Sequence, residues 1–408
     1  METLSRLTFL DVIPYLGKDK TKIEDLLQSY GIQNKMAVFL TQLLEEDWNT
    51  CIDIPYEKKI WALQHGFLPS RVKLYGLTEN NYHDYLSDID YHYLHPFNNH
   101  FAIWINDKLT LKYIFPSTFT TLEGRELSIM PEYYLYIEND GQYSYLMDSP
   151  KHILHDENYL LNLLKEKLIL ALKPSRGQGG HGFVVLKYDP VKNEIYANAE
   201  VLDESAFSKF KKTLNGYIIT EYVKQHKGLD SVWKESVCTL RIIALKNRGD
   251  KYSGGKTDIL VSYARFGTSA SLGASNLSSQ GVGIPYDFNT GIFGSYFYRY
   301  LKYSTNGEFK LPHHPDSKVS LSGKVLPNWE VVRDVVLSVC DYLSSLEYWG
   351  FDIMITDNGV KICEINTFPA LGYGQVMCGP ALLNPAAKEF FQKKVNEKLE
   401  NKKKVMYK

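Results

Sequence analysis

Lys173 and Arg176 sit in a glycine-rich stretch, Lys173-Pro-Ser-Arg-Gly-Gln-Gly-Gly-His-Gly-Phe183, that is set between two apolar runs, Leu168 to Leu172 and Phe183 to Leu186. The pattern is a strand, a turn and a second strand. Gly177, Gly179, Gly180 and Gly182 fall within six positions. Such a turn can adopt positive φ and aim bare backbone N–H groups at an anion, while the two cations add fixed positive charge. A nucleotide triphosphate is the guest that this chemistry suits. The turn is not a Walker A loop, because Lys173 precedes the glycines and no GKS or GKT follows them. It does not open a helix, as a dinucleotide fingerprint must. Taken alone it also reads as an ordinary glycine-rich hairpin.

A second stretch with chemical potential runs from Gly350 to Pro369. Phe351 to Thr356 and Val360 to Ile365 read as strands, with Asp357-Asn358-Gly359 as the turn. Alternation puts Asp352 on the face opposite Phe351 and Ile353, and it sends Glu364 and Asn366, two apart, out of one face together. Pairing across the turn can therefore bring two carboxylates and an amide oxygen to one point. Hard oxygen donors of this kind suit Mg²⁺, which keeps waters and shares its shell with substrate phosphates. The bland alternative is a half-exposed hairpin with polar residues on its wet face.

Between these stretches, Arg241 interrupts the apolar run from Cys238 to Ile243. A guanidinium in a buried strand requires an anionic partner. A further strand, Asp258 to Phe266, carries Arg265, and a polar loop from Ser275 to Gly281 carries Asn276. Structural salt bridges and a plain loop turn are the alternatives for these three.

The elements that must position these groups follow from periodicity. Lys22 to Tyr30, Lys35 to Trp48 and Glu57 to His65 have apolar residues at helical spacing, so residues 1–100 are expected to form a mainly helical cap or substrate-side subdomain. A helix and strand region, Ile103 to Ile137, leads into the glycine-rich hairpin. Further helices are expected over Asp203 to Thr213 and Val331 to Leu346. The expected organisation is thus a cap, a small lobe over 101–222 and a large lobe over 223–408. His92, His95 and His100 stand among aromatic residues without a carboxylate or cysteine at ligand spacing, and they are read as structural histidines.

Composition narrows the class. The chain has 408 residues, 44% of them hydrophobic, enough for one or two cores, and its net charge of −1 offers no basis for a general nucleic-acid or bilayer-surface partner. The five cysteines are widely spaced and form no zinc or CxxC pattern, as expected of reduced thiols in a cytoplasmic protein. Met1 to Lys20 has no sustained apolar core of a secretion signal, and no run reaches the ~18 apolar residues of a membrane span.

The order of these motifs, a lysine-bearing glycine-rich hairpin, a Glu-x-Val segment, an arginine-bearing strand and an acidic strand pair ending in Glu364-x-Asn366, resembles the ATP-grasp superfamily, in particular its sugar-transfer-associated branch. The likeness covers about residues 55 to 390. It implies an α+β ATP-grasp fold in which two α+β lobes clamp ATP beside the mainly helical N-terminal region. It also implies ATP and Mg²⁺ as cofactors, with two ions bridging the phosphates to Asp352, Glu364 and Asn366. By the same resemblance Lys108 and Lys173 are the nucleotide-binding lysines, and Ser175, Arg176, Gly177, Gln178, Gly179, Gly180, His181 and Gly182 close over the phosphates. Glu221, Tyr222 and Val223 meet adenine, and Arg241, Arg265 and Asn276 contact the transferred phosphate, a metal or the acyl group.

The activity implied is ATP-dependent joining of a carboxylate to an amine through an acyl phosphate, on a carboxylated sugar or cell-envelope precursor. Small-molecule acid and amine substrates are the expected partners, with a homo-oligomer allowed and nucleic acid excluded. A small-molecule kinase, or a non-catalytic nucleotide-binding partner of a glycan transferase, would use the same ATP site.

Overall fold

The computed structural model describes residues 4–5, 7–51, 53–175, 182–249, 254–271, 273–304 and 307–406, with side chains through residue 400. The N-terminal region is helical, as its periodicity requires: α1 (Lys20–Ser29), α2 (Asn34–Thr50), α3 (Tyr56–Gln64), α4 (Arg71–Leu74) and α5 (Asp88–Leu94). Asp19 caps α1 by accepting from the Lys22 amide, and Ile23 and Leu27, one turn apart, turn inward. The short helices α6 (Ile103–Asn106) and α7 (Lys108–Ile114) follow. After them, a two-stranded ribbon of β1 (Phe119–Thr120) and β2 (Glu126–Leu127) leads to the first sheet.

That sheet is built from β3 (Tyr133–Ile137), β4 (Tyr143–Tyr145), β5 (Ile169–Pro174), β6 (Val184–Asp189), β7 (Glu194–Ala197), β8 (Glu200–Leu202) and β9 (Tyr217–Glu221). All neighbours are antiparallel, in the order β4-β3-β9-β5-β6-β7-β8. Helices α8 (Tyr159–Lys167) and α9 (Glu204–Lys211) contribute Leu160, Leu164 and Phe207 to its core. The glycine-rich hairpin is β5 and β6. Its first strand begins one residue later than expected and ends two later. Leu168, at φ 64°, closes α8, and pairing of Lys173 and Pro174 with Ile218 and Tyr217 of β9 prolongs the strand. Pro174 costs this sheet no ladder bond toward β6, because β5 and β6 part after Leu172 and Val184.

A short helix, α10 (Lys227–Asp230), precedes the second sheet. Its strands are β10 (Thr239–Asn247), β11 (Lys256–Phe266), β12 (Val282–Pro285), β13 (Phe297–Tyr298), β14 (Lys310–Leu311), β15 (Tyr348–Thr356) and β16 (Gly359–Asn366), in the antiparallel order β14-β13-β12-β11-β10-β15-β16. Alternation splits the sheet between two cores. Leu240, Ile242, Phe351, Ile353 and Ala264 face a core shared with α11 (Trp329–Tyr342), whereas Ile243, Leu245, Tyr263 and Tyr348 face the N-terminal helices and the C-terminal helix Pro385–Met406. Helices α12 (Gly372–Cys378) and α13 (Pro385–Met406) end the chain. Strand β15 starts three residues earlier than its sequence pattern indicates, because Tyr348–Gly350 pair with Leu245–Ile243 of β10. Among the described residues no helix is long and apolar enough to cross a membrane.

Candidate functional site

Strand β10 lies between β11 and β15, and this position decides what Arg241 meets. Its register partner on β15 is Asp352, and its partner on β11 is Tyr263. Arg241 Nε donates to Asp352 Oδ1 at 2.6 Å and Nη2 to Oδ2 at 3.1 Å, a two-pronged contact that matches the planar guanidinium to the carboxylate. Arg265, one strand further out, reaches across with Nη2 2.9 Å from Asp352 Oδ1 and donates through Nε to Thr239 Oγ1. Asp352 thus lies under two guanidinium groups, and all three side chains are buried to about nine-tenths. Burial alone would raise the Asp352 carboxyl, but Arg241 and Arg265 outweigh it and hold it below the ordinary value.

Across the hairpin, Asp352 pairs with Glu364, and Gly350 pairs with Asn366. A bulge next to Asp352 lets the ladder step from Glu364 to Ile362, so Cys363 is the extra residue. The two carboxylates and the amide consequently share the region expected from alternation. Burial, and then the Asp352 charge, push the Glu364 carboxyl upward, against the pull of Lys108, Arg241 and Lys173. Lys108 Nζ stands 3.9 Å from Glu364 Oε1. It is positioned by the start of α7, where Asp107 caps the helix by accepting from Thr110 N. The neighbouring Asn106 accepts from Thr367 Oγ1 at 2.8 Å, which ties α6 to the residue after Asn366.

Lys173 arrives from the first sheet. It is 8% exposed, its Nζ lies 4.9 Å from the Tyr133 ring centroid, and its charge is felt at Cys363 and Glu364 of β16. Burial alone would lower its ammonium, yet Tyr133, Cys363 and Glu364 more than offset this and hold it above the ordinary value. Lys173 and Glu364 therefore mark where the two sheets meet.

The remaining expected residues fall at the ends of these elements. Glu221 ends β9 and accepts from the Glu132 amide; Tyr222 and buried Val223 follow, and the chain passes to the second sheet where His226 N donates to Ile355 O. Ser175 N donates to Gly216 O beyond the end of β5. Gly182 has φ 76°, and a Cβ there would lie 2.7 Å from the Tyr217 hydroxyl, so this corner requires glycine. Arg176, Gly177, Gln178, Gly179, Gly180 and His181 lie outside the described residues. Asn276 N-caps a short 3₁₀ turn without a side-chain bond, while its neighbour Ser275 hydrogen-bonds Thr239 Oγ1, the acceptor of Arg265. The Asn276 loop and Arg265 are thereby joined through two hydroxyls.

Tyr133, Thr239, Tyr263 and Cys363 were not legible from sequence as site neighbours, because each arrives by strand pairing or packing. His92 and His95 are buried among aromatic rings, as expected of structural histidines.

Among the described residues no three His, Cys, Asp or Glu side chains cluster as a preformed metal cage. Two carboxylates and an amide oxygen nevertheless fit a hard, partly hydrated cation that shares phosphate oxygens. The elevated Glu364 carboxyl fits it too, since burial and then the Asp352 charge make its ionised form costly in the absence of a further cation.

Comparison with known proteins identifies the family. The family model for sugar-transfer associated ATP-grasp proteins matches residues 90–390. The chain has an ATP-grasp fold, and it belongs to the sugar-transfer associated ATP-grasp family. Solved structures to which the chain is similar include D-alanine–D-alanine ligase of Bacillus anthracis (14% identity, 72% of this chain and 69% of that one, TM-score 0.36). Others are D-alanyl-alanine synthetase A of Vibrio cholerae (14%, 74% and 66%, 0.39) and N5-carboxyaminoimidazole ribonucleotide synthetase of Thermotoga maritima (11%, 65% and 42%, 0.31). A search of curated proteins returned no match.

Proposed function

We propose that this chain is an ATP-dependent carboxylate-amine ligase, acting on a carboxylated sugar or a cell-envelope or capsular polysaccharide precursor. The observation that carries the reading is Asp352, held ionised between Arg241 and Arg265 and directly across the hairpin from Glu364, with Lys108 and Lys173 closing on the same point. A site so dense in fixed charge is suited to phosphate chemistry. In this reading residues 1–100 cap the substrate side, 101–222 form the small lobe and 223–408 the large lobe. A cytoplasmic location fits the five free cysteines.

The reaction divides into two displacements. A carboxylate oxygen of the acid attacks the γ-phosphorus of ATP, ADP leaves, and an acyl phosphate forms. The amine nitrogen then attacks the carbonyl carbon, phosphate departs with that oxygen, and the nitrogen gives up a proton. The protein's part is alignment and charge balance. Lys173 offsets the phosphates from the first sheet and Arg241 and Arg265 do so from the second, while residues 175–182 exclude water from the acyl phosphate. Tyr222 and Val223 would receive adenine between the sheets. Asp352, Glu364 and Asn366 would hold Mg²⁺, in this reading two ions, which supply further neutralisation of the phosphate oxygens.

Labelling tests the reaction class. ¹⁸O from the acid's carboxylate is expected in the released phosphate, with ADP and phosphate appearing in step with amide. A product that retains the phosphoryl group would establish a kinase instead, and AMP with pyrophosphate would establish adenylation.

Lys173 tests the nucleotide site independently. Lys173→Ala is expected to weaken ATP binding or turnover at least about tenfold, the effect of losing one charge-assisted contact of about 1.4 kcal/mol. Isothermal titration with a non-hydrolysable ATP analogue measures it, and unchanged affinity together with an unchanged rate would remove Lys173 from the site.

A further inference from the structure

The segment that leaves β16 runs from Thr367 to Gly372, where α12 begins. Side chains from earlier in the chain hold it. Thr367 Oγ1 donates to Asn106 Oδ1, the Tyr91 hydroxyl of α5 donates to Pro369 O, and Tyr75 Oη donates to Gly372 O at 3.0 Å. Of these three bonds, the one from Tyr91 has a route back to Asn366.

Tyr91 is buried, and its ring stacks on Phe368 with centroids 5.3 Å apart and planes 19° from parallel. Its oxygen also lies 3.3 Å from the Tyr348 hydroxyl oxygen. A carbonyl can only accept, so the single Tyr91 proton goes to Pro369, and Tyr348 is the donor in the contact between the two hydroxyls. Burial holds the Tyr91 hydroxyl protonated, well above its ordinary range. Tyr348 is fixed in turn by Asn98, whose Oδ1 accepts from Tyr348 N at 3.0 Å and whose Nδ2 donates to Tyr348 O at 2.6 Å. One hydroxyl therefore joins the start of β15 to the segment that leaves β16.

The route to the cation-binding groups runs through Gly350. Pro369 packs so closely on it that a Cβ at Gly350 would run into the proline ring. Gly350 faces Asn366 across the hairpin, and Asn366 Nδ2 donates to Gly350 O at 3.4 Å. Because that carbonyl demands a donor, the amide turns its nitrogen toward Gly350 and leaves Oδ1, the hard atom, for a cation. At 3.4 Å this bond is long, so a small displacement of Gly350 releases the amide.

We propose that Tyr91 is a positioning residue of the metal centre: its hydroxyl fixes Pro369 against Gly350, and the Gly350 carbonyl in turn orients Asn366 Oδ1 toward the ion. The assignment rests on the reading of Asn366 as a Mg²⁺ ligand. Tyr91 acts through Asn366 and itself holds no substrate.

The test measures Mn²⁺ binding by EPR on the full chain with a non-hydrolysable ATP analogue, Mn²⁺ serving as a cation that takes the same oxygen ligands as Mg²⁺. Tyr91→Phe keeps the ring and is expected to raise the Mn²⁺ Kd about fivefold, the effect of one hydrogen bond. Tyr75→Phe removes the comparable bond to Gly372 O and is expected to leave Mn²⁺ binding unchanged, whereas a merely structural role would make the two variants alike. Adding Tyr348→Phe to Tyr91→Phe removes the buried hydroxyl that the single change strands, so the melting temperature is expected to recover while metal affinity stays low. Asn366→Ala is expected to weaken Mn²⁺ binding at least about tenfold, and adding Tyr91→Phe to it is expected to cost less than about twofold more, because both changes act through one amide. Unchanged Mn²⁺ affinity in Tyr91→Phe, or its full effect persisting beside Asn366→Ala, would overturn the positioning role and leave the metal assignment standing. Unchanged affinity in Asn366→Ala would overturn the metal assignment and the role of Tyr91 with it, while the labelling experiment decides the reaction class independently.

Discussion

Glu364→Gln is expected to lower turnover at least about a hundredfold while leaving the melting temperature within about 2 °C of the parent. Glutamine matches the volume and keeps one oxygen, so the strand can pair as before. What disappears is the charge that Asp352 and burial have made costly to hold and that a cation would satisfy. Loss of that carboxylate also releases Lys108, 3.9 Å away, from its anionic neighbour. The side chain is only partly buried, at 23% exposure, so the fold loses little. Steady-state ADP release against magnesium concentration, beside a thermal melt, checks both halves. Full activity in Glu364→Gln would make this an ordinary polar residue on a hairpin.

Asp352→Asn is expected to damage stability and activity together, by about 3 kcal/mol in the first and to near-background turnover in the second. Arg241 and Arg265 are 12% and 7% exposed, and both lean on this one carboxylate. Neutralising it leaves two buried guanidinium groups without a counter-charge, which costs far more than a surface ion pair is worth. Adding Arg241→Met to Asp352→Asn is expected to restore part of the stability, because the stranded cation is then absent, while activity stays lost. Urea denaturation of the two single variants and the double variant measures this coupling. A single-variant cost below about 1 kcal/mol would mean that the arginines find other partners.

Both residues were legible as candidate ligands on the hairpin, whereas the hold of two arginines on Asp352 was not. Glu364 and Asn366 could be read from their spacing, since a strand sends residues two apart to one face whatever surrounds it. The same local rule exposed the glycine-rich hairpin, the acidic hairpin and the helices of the first hundred residues, all of which recur in the structure with ends shifted by a few residues. Those shifts have a tertiary origin. Lys173 and Pro174 became strand because β9 lies beside them, and Tyr348–Gly350 because β10 does.

Sequence alone thus determined the α+β class, the two hairpins and the need of Arg241 for an anion, because each depends on side-chain type and short-range period. It did not determine which anion. Asp352 stands 111 positions from Arg241 in the chain, and only the placement of β10 between β11 and β15 gives that carboxylate to two arginines at once. The approach of Lys173 to Glu364, and the hold of Tyr91 on Pro369, likewise exist only after the first sheet, the N-terminal helices and the second sheet have packed together. Long-range register and packing bring such residues within a few ångströms without leaving any period in the sequence, so they become visible only in the folded chain.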